Sequence, residues 1–322
     1  MMNAVLPDGS GGVNIERVPI PSPKPDEYLL KVTAVGVNRA DLLQVAGKYP
    51  PPIGTTDILG LEVAGRLGDG QEVCALLTGG AFAEYAVVPK ATILRFPEEI
   101  SHQLSSGQLA AIPEAFLAAY HVMFQIGKLT KNETVLINGA GSGVGTSAVQ
   151  LASTLSNVTI IACAGSKEKL DVCKNLGAQF AINYREESIS DAVAEYTGGR
   201  GVDLVMDCVG AAQFRAIERS LRLDGRWVIY GLLSGAKSPD INLAGILSKR
   251  LTLHGTTMRG RSPDYRGSMV VSFTTKYGSM FGESGLLRPV IHKEFHGLGS
   301  VTEALKFVEE NRNIGKVVVR LA

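Results

Sequence analysis

Hydrophobic positions change their spacing near residue 134, which divides the chain into regions of two kinds. Before it, runs such as "YLLKVTAVGV" (28–37) and "AEYAVVP" (83–89) are rich in β-branched residues. Clusters of proline and glycine, such as "PIPSPKPDE" (19–27), separate these runs. Short strands with such turns predict a mostly-β barrel-like or sandwich domain over residues 1–115.

From Thr134 onward, short apolar runs alternate with segments of helical spacing. The apolar runs are "TVLIN", "VTIIACA", "QFAIN", "VDLVMDCVG", "GRWVIYG" and "LTLHGTTM". Strands that alternate with helices indicate βαβ units and a parallel sheet covered on both faces. These runs are enough for a complete doubly wound, Rossmann dinucleotide-binding fold, which the sequence predicts over residues 116–258.

After Met258 the alternation stops. "RGRSPDYRG" (259–267) has loop composition, helical segments follow, and "GKVVVRLA" (315–322) closes the chain as a predicted strand. Residues 259–322 are therefore assigned to the first domain, and the Rossmann domain is predicted to be inserted in it. The fold class is α/β.

Composition and charge narrow the function classes. The chain has 322 residues, 45% of them apolar and 20% charged, with a net charge of +1. This balance disfavours a dedicated nucleic-acid or membrane-surface protein. The first residues lack a basic stretch followed by an apolar core, and no apolar run is long enough to span a membrane, so we expect a cytosolic protein.

A glycine-rich turn, "INGAGSGVGTSAVQ" (137–150), follows the first strand of the predicted Rossmann domain and opens its first helix. Such a turn lets a pyrophosphate approach backbone N–H groups at the positive end of the helix. The turn departs from the strict G-x-G-x-x-G pattern because Thr146 stands in the last position. Its place in a full βαβ array nevertheless indicates a nicotinamide dinucleotide.

The second strand indicates which nicotinamide cofactor binds. An NAD site has an acidic residue about 20 residues after the glycines, to hold the ribose 2′-hydroxyl. Here the strand runs into "AGSKEKL", with Ser166, Lys167 and Lys169 instead. A hydroxyl and ammonium groups suit a 2′-phosphate, so the sequence predicts NADPH. Ser166 also fits a helix N-cap, and the lysines a solvated helix face.

Motifs along the whole chain resemble the zinc-free quinone oxidoreductases of the medium-chain dehydrogenase/reductase superfamily, closest to the p53-inducible type. The motifs are "VGVNRADLLQ", "GKYPPP", "LGLEVAG", "AAIPEAFLAAY", "GSGVGTSAVQLA", "GSKEKL", "FAINYREE", "DGRWVIYGL", "MRGRSPDY" and "NRNIGKVVV". The resemblance implies a GroES-like substrate domain, a Rossmann domain and NADPH bound between them.

The resemblance also implies roles for particular residues. Those matched to the pyrophosphate turn are Ser142, Gly143, Val144 and Gly145; those matched to the 2′-phosphate are Ser166, Lys169 and Tyr184; those matched to other parts of the cofactor are Gly231, Leu232, Asn313 and Lys316. For Lys316 the alternative is a plain surface charge. Arg259 contacts a cofactor phosphate or is simply solvated.

Asn38 and Tyr49 match positions that line the nicotinamide and the substrate, and are the catalytic candidates. Zinc-dependent relatives place a cysteine where this chain has Asn38, and Gly-His-Glu where it has Gly60-Leu61-Glu62. Without thiolate and imidazole ligands, we expect no metal. The resemblance further implies a homodimer formed through the last Rossmann strand.

Three activities remain open at this stage. The first is hydride transfer from NADPH to a quinone without metal. The second is reduction of enones or 2-alkenals by the same hydride chemistry. The third is a low-turnover NADPH-binding regulator that binds RNA as the related zeta-crystallins do, which the small net charge makes less favourable.

Overall fold

The computed structural model describes residues 1–239, 241–283 and 285–321. Contacts within the chain divide it into two compact units. Unit 1 comprises Met1–Leu117 and Met258–Ala322, and unit 2 comprises Ala118–Thr257.

The described residues form strands and helices with the following bounds. The strands are β1 (Met2–Pro7), β2 (Val13–Val18), β3 (Glu27–Val37), β4 (Glu62–Arg66), β5 (Glu72–Leu76), β6 (Tyr85–Pro89), β7 (Ile93–Leu94), β8 (Thr134–Asn138), β9 (Thr159–Ala164), β10 (Phe180–Asn183), β11 (Val202–Asp207), β12 (Leu221–Ile229), β13 (Thr252–Gly255), β14 (Ile291–His296) and β15 (Lys316–Arg320). The helices are α1 (Arg39–Val45), α2 (Glu98–Ser101), α3 (Ser106–Ala110), α4 (Pro113–Tyr120), α5 (Gly143–Ser153), α6 (Lys167–Asn175), α7 (Ile189–Tyr196), α8 (Phe214–Ser220), α9 (Leu243–Ser248), α10 (Pro263–Tyr277) and α11 (Val301–Glu309).

Unit 1 is built on a mostly antiparallel sheet with the strand order β14-β15-β3-β4-β5-β7, and β6 pairs with the first half of β3. Strands β1 and β2 form a separate antiparallel pair. The C-terminal strand β15 pairs antiparallel with β3. Valines of both ends of the chain therefore share one core, with Val35, Val63 and Val319 fully buried.

Unit 2 is a six-stranded sheet with the order β10-β9-β8-β11-β12-β13, and every neighbouring pair is parallel. All residues of β8 and β11 are buried, as expected for central strands covered by helices on both faces. The structure confirms the predicted α/β class with a GroES-like unit and a doubly wound parallel sheet.

Local composition alone misplaces two element boundaries, and one strand was not predicted. The stretch "AQFRAIERSLRL" (212–223) has helical composition throughout, but α8 ends at Ser220 and "LRL" begins β12. The helix ends there because the Lys249 ammonium donates to three carbonyls at its C-terminus, those of Glu218, Arg219 and Leu221.

The stretch "RGRSPDYRG", expected to be a loop, contains the start of α10. Ser262 caps this helix, since its hydroxyl accepts from the N–H of Tyr265 at 3.2 Å, and Pro263 occupies the first turn. Proline suits this position because its φ is already helical. Strand β14 was not predicted, because most of its residues are exposed or half-buried and carry little apolar pattern.

No helix in the described part of the chain combines the length and the apolar character needed to cross a membrane.

Candidate functional site

The glycine turn of unit 2 joins the end of β8 to the start of α5. Ser142 is the N-cap of α5, and its hydroxyl accepts from the N–H of Gly145 at 3.0 Å. A Cβ atom at Gly145 would lie 2.5 Å from the carbonyl oxygen of Gly139, so only glycine fits. The first helical N–H groups, at Gly143 and Val144, have no acceptor within the helix. This turn is suited to bind a phosphate.

The residues predicted to contact a 2′-phosphate lie around the end of β9. Ser166 is the N-cap of α6, and its hydroxyl accepts from the N–H of Lys169. The aliphatic chain of Lys169 lies against the backbone of Gly141, where a Cβ atom would come within 2.8 Å of it. Tyr184 is 41% exposed, and its phenol lies against Gly165, where a Cβ atom would come within 2.6 Å of the hydroxyl oxygen. The structure therefore brings all three side chains together next to the glycine turn.

Gly231 and Leu232 follow β12, and Cys208 lies between them and the glycine turn. A Cβ atom at Gly231 would lie 3.1 Å from the Cβ of Cys208. The thiol of Cys208 donates to the carbonyl of Asn138, the last residue of β8, at 3.4 Å. Leu232 is 52% exposed. Cys208 is buried and lies between these two predicted cofactor segments, a position that the sequence analysis did not identify.

Unit 1 contains a buried ion pair that several hydrogen bonds support. The Lys316 ammonium lies 2.6 Å from Oε1 of Glu62, and these side chains are 5% and 0% exposed. The same ammonium donates to Oδ1 of Asn38 at 2.7 Å and to the carbonyl of Val37 at 2.8 Å. The second oxygen of Glu62 accepts from the backbone N–H of Glu114 at 2.8 Å. A charged pair taken out of water requires such additional hydrogen bonds.

These contacts correct what the sequence suggested for Lys316 and constrain Asn38. Lys316 is not a surface charge, and all three N–H groups of its ammonium already have protein acceptors. The Asn38 amide nitrogen donates to Glu62 at 2.9 Å and to Gly36 at 3.3 Å. Both N–H groups of the Asn38 amide are thus engaged within the protein.

Arg259 and Tyr49 lie together in unit 1. The Arg259 guanidinium donates to the carbonyls of Thr78 and Tyr49 and to Oε1 of Gln44, at distances from 2.7 to 3.1 Å. It also lies 5.3 Å from the centre of the Tyr49 ring. Arg259 is only 6% exposed, so the expectation that it is solvated is wrong. Tyr49 is half-buried, and its ring lies beside this arginine.

Asn313 lies outside both groups described above, which are the residues around the glycine turn and the bonded polar residues of unit 1. Its amide nitrogen donates to the carbonyl of Gly315 at 2.7 Å, within its own turn.

Two carboxyl groups near the ion pair have raised pKa values. Burial, above all, raises the pKa of Asp41 to about 7. The pKa of Glu114 rises to about 8, first through burial and then through the charge of Glu62. Glu114 lies in the first turn of α4, where the helix dipole favours its anion by about 0.3–1 kcal/mol. One pKa unit corresponds to about 1.4 kcal/mol, so burial outweighs the dipole.

Comparison with known proteins gives the family. Residues 143–274 match the family described as zinc-binding dehydrogenase, and residues 24–98 match the alcohol dehydrogenase GroES-like domain. The chain is 30% identical to prostaglandin reductase-3 of Mus musculus over 349 aligned residues, which cover 100% of this chain and 88% of that protein. The chain belongs to the medium-chain dehydrogenase/reductase superfamily. It is therefore an oxidoreductase of a superfamily that uses nicotinamide cofactors.

Quinone oxidoreductase-like members of the superfamily are also similar to it. Quinone oxidoreductase-like protein 2 of Mus musculus is 29% identical over 312 residues, covering 92% of this chain and 85% of the relative. The quinone oxidoreductase of Thermus thermophilus, whose crystal structures include a complex with NADPH, superposes with a TM-score of 0.83. That protein is 29% identical, and 100% of each chain is covered.

The superfamily's nicotinamide cofactor fits the residues of unit 2. Gly145 leaves bare backbone where a pyrophosphate would lie, and Ser142 fixes the helix end that faces it. Within the described residues, no group of three or more His, Cys, Asp and Glu side chains could hold a metal ion. In unit 1, the ammonium of Lys316 lies between Asn38 and Glu62, which match metal-site positions of zinc-dependent relatives.

Sequence reasoning missed Glu114, Asp41 and Arg266. These residues belong to the same cluster of charged groups in unit 1 as Lys316, Glu62 and Arg259. Arg266 is 6% exposed, and its Nε and Nη1 atoms are buried without a hydrogen-bond partner in the described structure. The available signal was an acidic residue in the apolar stretch "AAIPEAFLAAY". At the start of a helix, however, such a residue has an ordinary explanation in the helix dipole.

We expect Lys316→Met to lower the free energy of unfolding by about 3–5 kcal/mol, because it leaves the Glu62 carboxylate buried without its cation. Denaturant unfolding of the purified protein measures this. Adding Glu62→Gln to that variant should recover part of the loss, since the uncompensated charge is removed. Arg250→Met is the control, because Arg250 and Asp224 form an exposed ion pair. A Lys316→Met protein as stable as wild type would contradict the assignment.

Proposed function

We propose that this protein is an NADPH-dependent quinone oxidoreductase that transfers a hydride to a quinone without a metal ion. The observation that carries the proposal is the position of Ser166, Lys169 and Tyr184 at the end of β9, beside the glycine turn. An ammonium and two hydroxyl groups match the chemistry of a 2′-phosphate. The NADPH complex of the similar Thermus thermophilus enzyme supports the same cofactor.

A quinone suits the residues of unit 1. When bound, NADPH supplies the hydride, and the protein's part is to orient the acceptor. The quinone is electron-poor and becomes aromatic on reduction, so it needs no Lewis acid. The Tyr49 ring, held by Arg259, offers a face on which a flat acceptor can stack.

Reduction of enones is the second candidate, favoured by one observation. One of the similar proteins is a prostaglandin reductase, and its match covers the whole of this chain. An enone accepts hydride at carbon and must then be protonated, as a quinone is. The same residues of unit 1 would serve both acceptors.

Steady-state turnover with NADPH tests the two candidates side by side. We expect kcat/KM to be higher with ortho- or para-quinones than with a 2-alkenal, because a quinone becomes aromatic on reduction. A chelator should leave these rates unchanged, and elemental analysis should show no stoichiometric zinc. Tyr49→Ala should mainly raise the KM of the quinone by removing a stacking surface. A preference for the alkenal would favour enone reduction, and zinc-dependent turnover would overturn the proposal.

Lys169 should set the preference for NADPH over NADH. Lys169→Ala removes an ammonium from a phosphate contact whose loss costs about 1.5–3 kcal/mol, so the Kd of NADPH should rise roughly tenfold to a hundredfold. NADH lacks this phosphate, and its Kd should change little. Lys167→Ala is the control, because Lys167 is exposed on the same helix and pairs with Asp171. Fluorescence titration measures both cofactors, and equal losses would contradict the assignment.

We further propose a homodimer that forms through β13. This strand ends the sheet of unit 2, all four of its residues are exposed, and among the described residues β12 is its one partner strand. Soluble proteins usually protect such edges.

Light scattering should find a dimer for the wild-type protein and a monomer for Leu253→Lys, because a charge on the edge opposes strand pairing. Leu286→Lys is the matched control, since Leu286 is also an exposed leucine but lies outside β13. A monomeric wild-type protein would end the proposal.

A further inference from the structure

The Glu114 carboxyl group differs from the other acidic groups around it. Glu62 is ion-paired with Lys316, and Oδ2 of Asp41 accepts from the backbone N–H of Asn38 at 2.8 Å. Within the described structure, the Glu114 carboxyl makes no hydrogen bond and no ion pair. The residue is half-buried, so part of it is open to solvent.

The backbone of Glu114 is nevertheless fixed on the same network. Its N–H donates to Oε2 of Glu62, whose other oxygen accepts from Asn38. The Glu114 carboxyl also interacts electrostatically with Tyr49 and with Arg259, the two residues that form the proposed acceptor surface. A carboxyl group without a partner, carried by a backbone that this hydrogen bond fixes, thus acts electrostatically on that surface.

Arg266 provides a second, independent observation. Its buried guanidinium has two nitrogen atoms without a partner in the described residues, and it acts electrostatically on Glu114. An unpaired buried cation is unfavourable unless negative charge is present nearby for part of the time. Negative charge on Glu114 would satisfy it, which suggests that Glu114 alternates between a neutral and an anionic form.

We propose that Glu114 is the acid that protonates the reduced acceptor; this inference rests on the proposed function. NADPH, the reductant, supplies two electrons and one hydrogen as hydride. The O–H bond of the Glu114 carboxylic acid then breaks as a new O–H bond forms on the acceptor oxygen. The resulting carboxylate is stabilised by Arg259 and Arg266 until it takes a proton from water.

The protonation state of Glu114 agrees with this role. Its pKa is raised to about 8, so near pH 7 the group is mostly a neutral acid that can donate a proton. The Tyr49 phenol has a pKa above its usual 10, so it is a much weaker acid. General acids work best when their pKa lies near the working pH.

The pH dependence arises from several charges on different elements. The ionisable groups that act on Glu114 are Tyr49, Asp41 on α1, Glu62 on β4, Arg259, Arg266 on α10 and Lys316 on β15. Burial and the carboxylates of Asp41 and Glu62 favour the neutral acid of Glu114. The cations Arg259, Arg266 and Lys316 favour its anion.

The pH profile of the full-length enzyme with NADPH and a quinone tests the proposal. In the wild type, kcat/KM should be constant at low pH and fall about tenfold per pH unit above about pH 8, where Glu114 loses its proton. Glu114→Gln should lose this limb and be slower by roughly 10²-fold. Glu114→Asp should keep an acid and the limb. Glu99→Gln, which removes an exposed carboxylate, should match the wild type.

A second measurement uses the protein alone and does not depend on turnover. With glutamate labelled by carbon-13 at its carboxyl carbon, the resonance absent from Glu114→Gln should titrate near pH 8 in the wild type. NADPH binding by Glu114→Gln, measured by fluorescence, shows that the variant is folded.

The outcomes separate the two proposals. A wild-type protein that reduces no acceptor with NADPH overturns the proposed function and this inference with it. A wild-type protein that turns over, while Glu114→Gln keeps its rate and its alkaline limb, overturns only the role of Glu114. The same holds if the Glu114 resonance titrates near the ordinary value of a glutamate.

Discussion

The ion pair of Lys316 and Glu62 is the contact on which the architecture of unit 1 depends. Glu62 lies on β4 and Lys316 begins β15, and their charges meet at 2.6 Å in the interior. Through Val37 the ammonium holds the end of β3, and through Asn38 it holds the start of α1. Through its second oxygen, Glu62 holds the N-terminal turn of α4. A buried pair contributes little net stability, but breaking it is strongly unfavourable, so it fixes how these elements meet.

Two glycines allow this pair to form. A Cβ atom at Gly36 would overlap with the carboxylate of Glu62, so β3 can pass the pair only with bare backbone there. Gly315 precedes the lysine with φ +76°, and a Cβ atom there would overlap with the carbonyl of Val290. The charge cluster is thus encoded partly by residues that carry no charge, since they decide how closely the strands approach.

The sheet of unit 2 was predictable from the sequence, and the polar cluster of unit 1 was not. Apolar runs such as "TVLIN" and "VDLVMDC" identify central strands because such strands are buried on both faces. The burial of Lys316 and Arg259 depends on acceptors in distant segments, and no local pattern reveals a pairing of that kind. Motif resemblance placed Asn38 and Lys316 at the site but could not show that they bond to each other. The C-terminal end of α8 depends on a contact of the same kind, because Lys249 reaches it from another element.

Glu62 and Glu114 differ in what they contribute to the fold. Glu62 contributes its carboxylate, which bonds to Lys316, Asn38 and the N–H of Glu114. Glu114 contributes only its backbone N–H, and its carboxyl is left out of the network. Neighbouring titratable groups whose environments differ in this way are typical of sites where one group maintains structure or charge and the other exchanges a proton. The division follows from geometry. The Lys316 ammonium is saturated by Glu62, Asn38 and Val37, and the Glu114 carboxyl forms no ion pair in the described structure, so burial favours its neutral form.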